Sequence, residues 1–416
     1  MCNRLSADNS PDLSRVFLRS ILLFANLFLI IMALYHLKPA SRSLILESHG
    51  SSALPYIWIG SALSLLIIIS IYHHILNRFG RLKVVLGTCL TFCVFLILFR
   101  LMLISTGKFA PVAFYIFVDI LGVILVEQFW SLANSVYSTE EGKRWYGIVG
   151  TGGLIGGMVG GGIAAMIVSF TPLQTPDLLL VAVLIIAATF ALTIKMARMG
   201  LYIQAEIQAT KINSHGGWQA LFQSHYLVLI AGALLIAQLV SPLVEYQFLR
   251  MIEGTYPDRE ERTAVLSVFF SILSGVSIAV NLVLTPLILR YVGVLAGLLT
   301  QPLILATSTY GFLSYPGLLS AATMKISDRG LSYSINRAAK ELLYIPVDPT
   351  IIYQAKAWID MFGYRIFKVL GSMLILLLTQ WSSLVKGYFG LSVVIIFGCM
   401  IWVMILLVLH REYKKL

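Results

Sequence analysis

Charged residues stand inside apolar segments that are long enough to cross a lipid bilayer. Glu127 lies within residues 117–137, Glu245 lies within residues 227–248, and Arg365 follows in a third segment. A charge near the bilayer centre costs at least ~2.5 kcal/mol, so such residues face a water-filled cavity, a partner or a solute. The sequence therefore predicts a membrane protein with a polar path through it.

Composition supports the same class. The chain has 416 residues, of which 58% are hydrophobic and 12% are charged, whereas soluble domains carry roughly 25% charged residues. The net charge is +11. In a soluble protein that excess would indicate nucleic acid, but cytoplasmic loops of membrane proteins collect Lys and Arg. We therefore expect a lipid bilayer, and no nucleic acid, as the environment of this chain.

The apolar runs predict an all-α membrane protein with about twelve transmembrane helices in two six-helix bundles. A long polar stretch at 198–225 separates an N-terminal bundle (1–197) from a C-terminal bundle (226–416), which is the layout of the major facilitator fold. The predicted spans are 17–37, 55–75, 84–104, 112–136, 147–169, 178–197, 226–248, 264–288, 292–308, 315–336, 359–380 and 387–409.

Loop charges predict the orientation. If the N-terminus is cytoplasmic, most loop Lys and Arg residues fall on the inside, as the positive-inside rule requires. Residues 77–83, Asn-Arg-Phe-Gly-Arg-Leu-Lys, also resemble the basic loop between helices two and three of major facilitators. We expect a multi-pass protein of the cell inner membrane with both termini in the cytoplasm.

The fifth span is rich in glycine. Gly152, Gly156 and Gly160 recur at four-residue spacing, which places small residues on one helix face and allows a neighbouring backbone to approach. A phosphate-binding glycine loop would need a preceding strand and a following Gly-Lys-Ser/Thr, and neither is present. We also find no nucleophile–base constellation and no metal-ligand spacing. The sequence therefore favours a chain that is not an enzyme and has no cofactor.

Polar residues on the fourth span define a candidate path. Glu127, Ser131 and Asn134 share one helix face, and Asp119 on the same helix is turned away from it. Glu127 either handles a solute or proton, or is a buried acid bonded to a neighbouring helix.

A second candidate region lies near the eleventh span. Lys356 and Asp360 are one turn apart and can neutralise each other, which leaves Arg365 without a local partner. Its guanidinium either binds an anionic solute, for which its fork of donors is suited, or pairs across the bundle with Glu245. In the tenth span Lys325 and Asp328 are spaced to pair with each other.

Several motifs together resemble the ATP/ADP translocase family, the nucleotide exchangers of plastids and obligate intracellular bacteria, and their bacterial relatives. The residues that carry the resemblance are 35–39 (Tyr-His-Leu-Lys-Pro), 127–134 (Glu-Gln-Phe-Trp-Ser-Leu-Ala-Asn), 138–144, 244–248 (Val-Glu-Tyr-Gln-Phe), 332–346 and 356–368. They are spread over nearly the whole chain.

The resemblance implies counter-exchange of phosphorylated nucleotides, such as ATP and ADP, by alternating access. By motif match Lys38, Glu127 and Glu245 are the essential membrane charges, together with Lys356 or Arg365. The Trp-Lys pair that commonly follows the acid of helix seven is replaced by Tyr246 and Gln247, as in the more distant bacterial relatives.

Two function classes follow from these observations. The first is a secondary transporter, acting as a monomer, of a nucleotide or similar anion; a variant is a proton-coupled carrier of another organic solute. The second is a non-transporting membrane scaffold or receptor, against which the charges in both halves argue.

Overall fold

The computed structural model describes residues 13–104, 107–137, 139–203, 224–344, 358–381 and 388–415. Helices account for nearly all of them, and no strand occurs among these residues. In chain order the helices are α1 (Leu13–Ser48), α2 (Leu54–Phe79), α3 (Arg81–Met102), α4 (Phe109–Val136), α5 (Thr139–Phe170), α6 (Leu178–Arg198), α7 (His225–Thr255), α8 (Arg259–Ala279, continued by a π-helical turn Val280–Leu284 and by Thr285–Tyr291), α9 (Val294–Ser314), α10 (Leu318–Leu331, a π-helical turn Ser332–Asn336 and Arg337–Leu343), α11 (Ile359–Gly363, Tyr364–Leu376 and Leu377–Trp381) and α12 (Tyr388–Tyr413).

The apolar length of these helices makes the chain a multi-pass membrane protein. Within the described residues, nine helices are long and apolar enough to span a bilayer. The other three, α9, α10 and α11, are shorter, less apolar or more highly charged, and they complete the predicted set. Most of the linker expected at 198–225 lies outside the described residues.

The helices form two bundles. In the first, α1 packs against α4, α5 and α6, and α3 packs against α6. In the second, α7 packs against α11 and α12, and α9 packs against α10 and α12. The bundles meet where α5 lies along α8, α2 lies along α11 and α1 touches α8. The helix contacts between the bundles therefore run through α1, α2, α5, α8 and α11.

The glycines of α5 permit this packing, as the sequence predicts. A Cβ atom on Gly152 would lie 2.7 Å from the backbone oxygen of Phe24, and one on Gly160 would lie 2.8 Å from that of Met32, both on α1. A Cβ atom on Gly161 would lie 2.7 Å from the backbone oxygen of Ser267 on α8. The glycines thus let α5 contact one helix of each bundle at backbone distance.

The first helix is longer than the sequence predicts. The predicted span ends at residue 37, but α1 continues through Pro39 to Ser48. Lys38 and Arg42 lower the hydropathy of this stretch, which made it look like a loop. In the structure they are helical and face other helices, so the charges do not end the helix.

Hydrogen bonds join the bundles at the end where α1 and α7 finish, here called the closed end. The Ser43 hydroxyl donates to the backbone oxygen of Arg259 (2.9 Å), and the buried Arg262 donates to the backbone oxygen of Ser43 (3.2 Å). The Glu253 carboxylate accepts from the backbone N–H of Ser51 (3.0 Å), and Glu260 accepts from that of Thr175 (2.7 Å). This end of the molecule is therefore shut.

Candidate functional site

Charged side chains from both bundles gather between α1, α4, α7, α10 and α11. They have two more cations than acids, and we call them the central cluster. Its members are Lys38 and Arg42 of α1, Asp119 of α4, Glu245 of α7, Lys325, Asp328 and Arg329 of α10, and Lys368 of α11.

Glu245 lies between cations from the two bundles. Its carboxylate accepts from Arg42 Nε (3.1 Å) and forms a second, closer ion pair with Lys325 Nζ. The side chain of Lys325 is only 1% exposed. Because a buried ammonium group is stable only when it is paired, Glu245 holds α1 of one bundle against α10 of the other.

Asp328 extends this arrangement within the C-terminal bundle. Its Oδ2 accepts from the Ser241 hydroxyl (2.6 Å) and lies 3.4 Å from Lys325 Nζ. Its backbone oxygen accepts from the side-chain amide of Gln301 (2.9 Å). These bonds fix the cations of α10 in place, as a site that binds a charged group requires.

A second ion pair crosses between the bundles with the opposite polarity. Asp119 Oδ2 of the N-terminal bundle lies 3.4 Å from Lys368 Nζ of the C-terminal bundle and accepts from the Ser61 hydroxyl (2.8 Å). The N-terminal bundle therefore contributes the cation to the Arg42–Glu245 pair and the acid to the Asp119–Lys368 pair. Each pair forms only when the two bundles are close together.

Lys38 differs from its neighbours. It is half-buried, and its Nζ lies 5.3 Å from the centre of the Tyr35 ring, a distance suited to a cation–π contact. No carboxylate of a described residue forms an ion pair with it. An amine in this position, inside a cluster with excess positive charge, attracts an anion more strongly than it would in water.

The residues that the sequence singled out do not all lie together. Lys38 and Glu245 belong to the central cluster. Glu127 and Asn134 lie further along α4, with exposed side chains, and Glu127 interacts with its surroundings. Arg365 is half-buried on α11 and also has a partner. Lys356 lies outside the described residues.

The alternative pairing of Arg365 with Glu245 is not what the structure shows, since Arg42 and Lys325 occupy that carboxylate. Arg42, Asp119 and Lys368 were not selected from the sequence. The sequence signal that could have identified these three residues is that each is a charge among apolar residues. Glu127, which was selected, has the same signal as Asp119.

The two helix bundles have the major facilitator fold. The xylose transporter XylE from E. coli, in a partially occluded inward-open conformation, superposes with a TM-score of 0.62 at 13% identity, covering 96% of this chain and 98% of that one. A mutant of the nucleoside transporter NupG gives a TM-score of 0.64 at 12% identity, covering 94% and 99%.

Sequence comparison identifies the family within this class. A family model described as TLC ATP/ADP transporter matches residues 102–328 and 318–413, and the chain belongs to that family. ADP,ATP carrier protein 3 of Rickettsia prowazekii is 21% identical over 74% of this chain and 72% of its own length. ADP,ATP carrier protein 1 of Chlamydia muridarum is 24% identical over 63% and 57%. The family comprises transporters, so this chain is a transporter and not an enzyme.

Proposed function

We propose that this protein carries a nucleotide or similar phosphorylated anion across the membrane by alternating access. The main observation behind this proposal is the excess of cations in the central cluster. The relatives described as ADP,ATP carriers support a phosphorylated nucleotide as the solute. A phosphate group brings the negative charge that the cluster lacks.

Within this proposal Lys38 attracts the solute and Glu245 controls the state of the protein. An anion near Lys38 competes with Glu245 for the cations that Glu245 now bridges. Solute binding then replaces a pair between the bundles with a pair to the solute, which shifts the equilibrium between two states. Glu127 and Asn134, exposed on α4, line the path to the cluster, and Arg365 with Lys356 supplies further positive charge near α11.

The orientation completes the mechanism. The chain lies in the cell inner membrane with both termini in the cytoplasm. The closed end then faces away from the cytoplasm. The present state is then inward-facing, and solute reaches the cluster from the cytoplasmic side. Opening the other way requires the Arg42–Glu245 and Asp119–Lys368 pairs to break, because each joins the two bundles. The protein acts as a monomer, since one chain supplies the whole cluster.

Transport by purified protein in proteoliposomes tests this function. We expect uptake of radiolabelled ADP or ATP that increases when the vesicles contain unlabelled nucleotide, as exchange requires. Lys38→Ala is expected to abolish uptake, whereas Lys195→Ala, a matched change at an exposed lysine of α6, leaves it intact. Undiminished uptake by Lys38→Ala, or no nucleotide uptake by the parental protein, would contradict the proposal.

A further inference from the structure

Two helices from opposite bundles present similar rows of side chains to each other. Tyr35, Lys38 and Arg42 recur at spacings of three and four along α1, and Lys325, Arg329 and Tyr333 recur at spacings of four along α10. Such spacings place residues on one helix face. Each row therefore consists of two cations and one tyrosine.

The rows run in opposite directions, so their members meet in order. Arg42 and Lys325 share the carboxylate of Glu245. Because the helices run in opposite directions from this shared carboxylate, one turn further places Lys38 on the level of Arg329, and the next turn places Tyr35 on the level of Tyr333. At the level of Arg42 and Lys325, the Glu245 carboxylate bridges the bundles. At the level of Lys38 and Arg329, two cations face each other.

The acids near the level of Lys38 and Arg329 are already engaged. Asp328 Oδ2 lies 3.6 Å from Arg329 Nε but also accepts from Ser241 and lies near Lys325. Asp119, which also acts on Lys38, is held by Lys368 and Ser61. Neither carboxylate forms an ion pair with Lys38, whereas Glu245 pairs with both Arg42 and Lys325.

Arg329 and Tyr333 are also open to a ligand. Arg329 is 31% exposed although its neighbours Lys325 and Asp328 are 1% and 4% exposed. Tyr333 is 40% exposed and lies in the π-helical turn Ser332–Asn336 that interrupts α10. Single π-helical turns inside α-helices are frequent at functional sites. The guanidinium group of Arg329 and the phenol of Tyr333 are therefore accessible to a ligand between the two rows.

We propose that a phosphate group of the solute binds between Lys38 and Arg329, with the Tyr333 hydroxyl donating a third hydrogen bond. The phosphate takes the bridging place between the bundles that Glu245 occupies one turn away. The Arg329 guanidinium matches phosphate oxygens with two parallel donors. This inference rests on the proposed function and adds Arg329 and Tyr333 as binding residues that select for phosphate.

Equilibrium binding to the purified full-length protein tests the assignment, with ADP, pyrophosphate and adenosine as probes. Arg329→Gln is expected to weaken ADP and pyrophosphate by a similar factor, about tenfold or more, as the loss of a hydrogen bond to a charged group implies. Arg329→Lys keeps the charge and loses the fork of donors, so its loss is smaller. Tyr333→Phe lowers affinity for both phosphorylated probes by about threefold to tenfold. Adenosine binding is unchanged by all three substitutions.

Arg290→Gln is the matched control, since Arg290 is an exposed arginine of the same bundle outside the cluster; its affinities should equal the parental ones. Because Arg329→Gln could also disturb folding, its elution as a single species is checked first, and Tyr333→Phe provides an independent test. Parental affinity for ADP and pyrophosphate in Arg329→Gln and Tyr333→Phe would overturn the inference while leaving the function intact. Loss of ADP binding alone would place these residues on the base or ribose and also overturn it. If the parental protein bound neither ADP nor pyrophosphate, the proposed function itself would be wrong.

Discussion

Glu245 of α7 and Glu127 of α4 are both acids within apolar helices, one in each bundle, yet the structure gives them different surroundings. Glu245 is 13% exposed and bridges two cations that belong to different bundles. Glu127 is exposed on its helix. Two membrane acids can thus differ in burial, one enclosed between cations and the other exposed at the surface of its helix. The two cases have different consequences when the charge is removed.

The largest effect is expected for Glu245→Gln. The substitution leaves the buried Lys325 with a weaker set of partners, and breaking a buried ion pair costs about 3 kcal/mol or more. We expect a lower midpoint of thermal unfolding and loss of nucleotide exchange, measured by scanning fluorimetry and by proteoliposome uptake. The double variant Glu245→Gln/Lys325→Gln removes both charges, so it should recover stability but not exchange. A Glu245→Gln protein with parental stability and exchange would remove the distinction between the two acids.

The next largest effect is expected at the Asp119–Lys368 pair. Its partners are 17% and 34% exposed, so each single neutralisation costs less stability than Glu245→Gln. Asp119→Asn should nevertheless reduce exchange strongly because the pair joins the bundles. The swapped variant Asp119→Lys/Lys368→Asp restores the attraction, and recovery of exchange above either single variant in the uptake assay would show that pairing matters. No recovery would mean that one of the charges acts separately.

A smaller effect is expected for Glu127→Gln. The side chain is exposed, so removing its charge leaves the melting midpoint unchanged and slows exchange only moderately, by less than about tenfold. Uptake measured from pH 5 to 8 checks this, and the profile should keep its parental shape. If Glu127→Gln abolished exchange as completely as Glu245→Gln, the two acids would be functionally equivalent, as the sequence alone suggested.

The smallest effect is expected for Arg259→Gln at the closed end. Arg259 is 27% exposed, and its partners Glu260 (2.8 Å) and Glu47 (3.4 Å) are 30% and 45% exposed. Such exposed pairs contribute about 0–1 kcal/mol, and backbone hydrogen bonds remain there to hold the bundles together. Stability and exchange should therefore stay near the parental values. A large loss of either would show that the Arg259 ion pairs, and not Glu245, hold the bundles together.

Much of the fold was predictable because it depends on periodic apolar length. The spans, the two-bundle layout and the close packing of the α5 glycines all follow from local sequence. The predicted end of α1 was wrong because Lys38 and Arg42 lower the hydropathy of this stretch. In the structure, Glu245 of the distant helix α7 pairs with Arg42, and Lys38 lies over the ring of Tyr35.

The site was predictable only in part. Lys38 and Glu245 were found because each is a charge in a recognisable motif. The partners of Glu245 were missed because Arg42 lies 203 residues away in the chain, and only tertiary structure brings it close. Asp119 was set aside in favour of Glu127 because the helical face of Glu127 carries more polar residues. Apolar surroundings alone do not say which acid meets a cation.

Distance measurement between the bundles tests whether Glu245 holds the closed end shut. Spin labels at Lys108→Cys and Tyr315→Cys, both exposed positions at that end, are introduced after replacement of the four native cysteines. We predict a short distance without solute, a longer population when ADP is added, and the longer population without ADP in Glu245→Gln but not in Glu127→Gln. A Glu245→Gln protein that keeps the short distance would show that Glu245 does not hold the bundles together at this end.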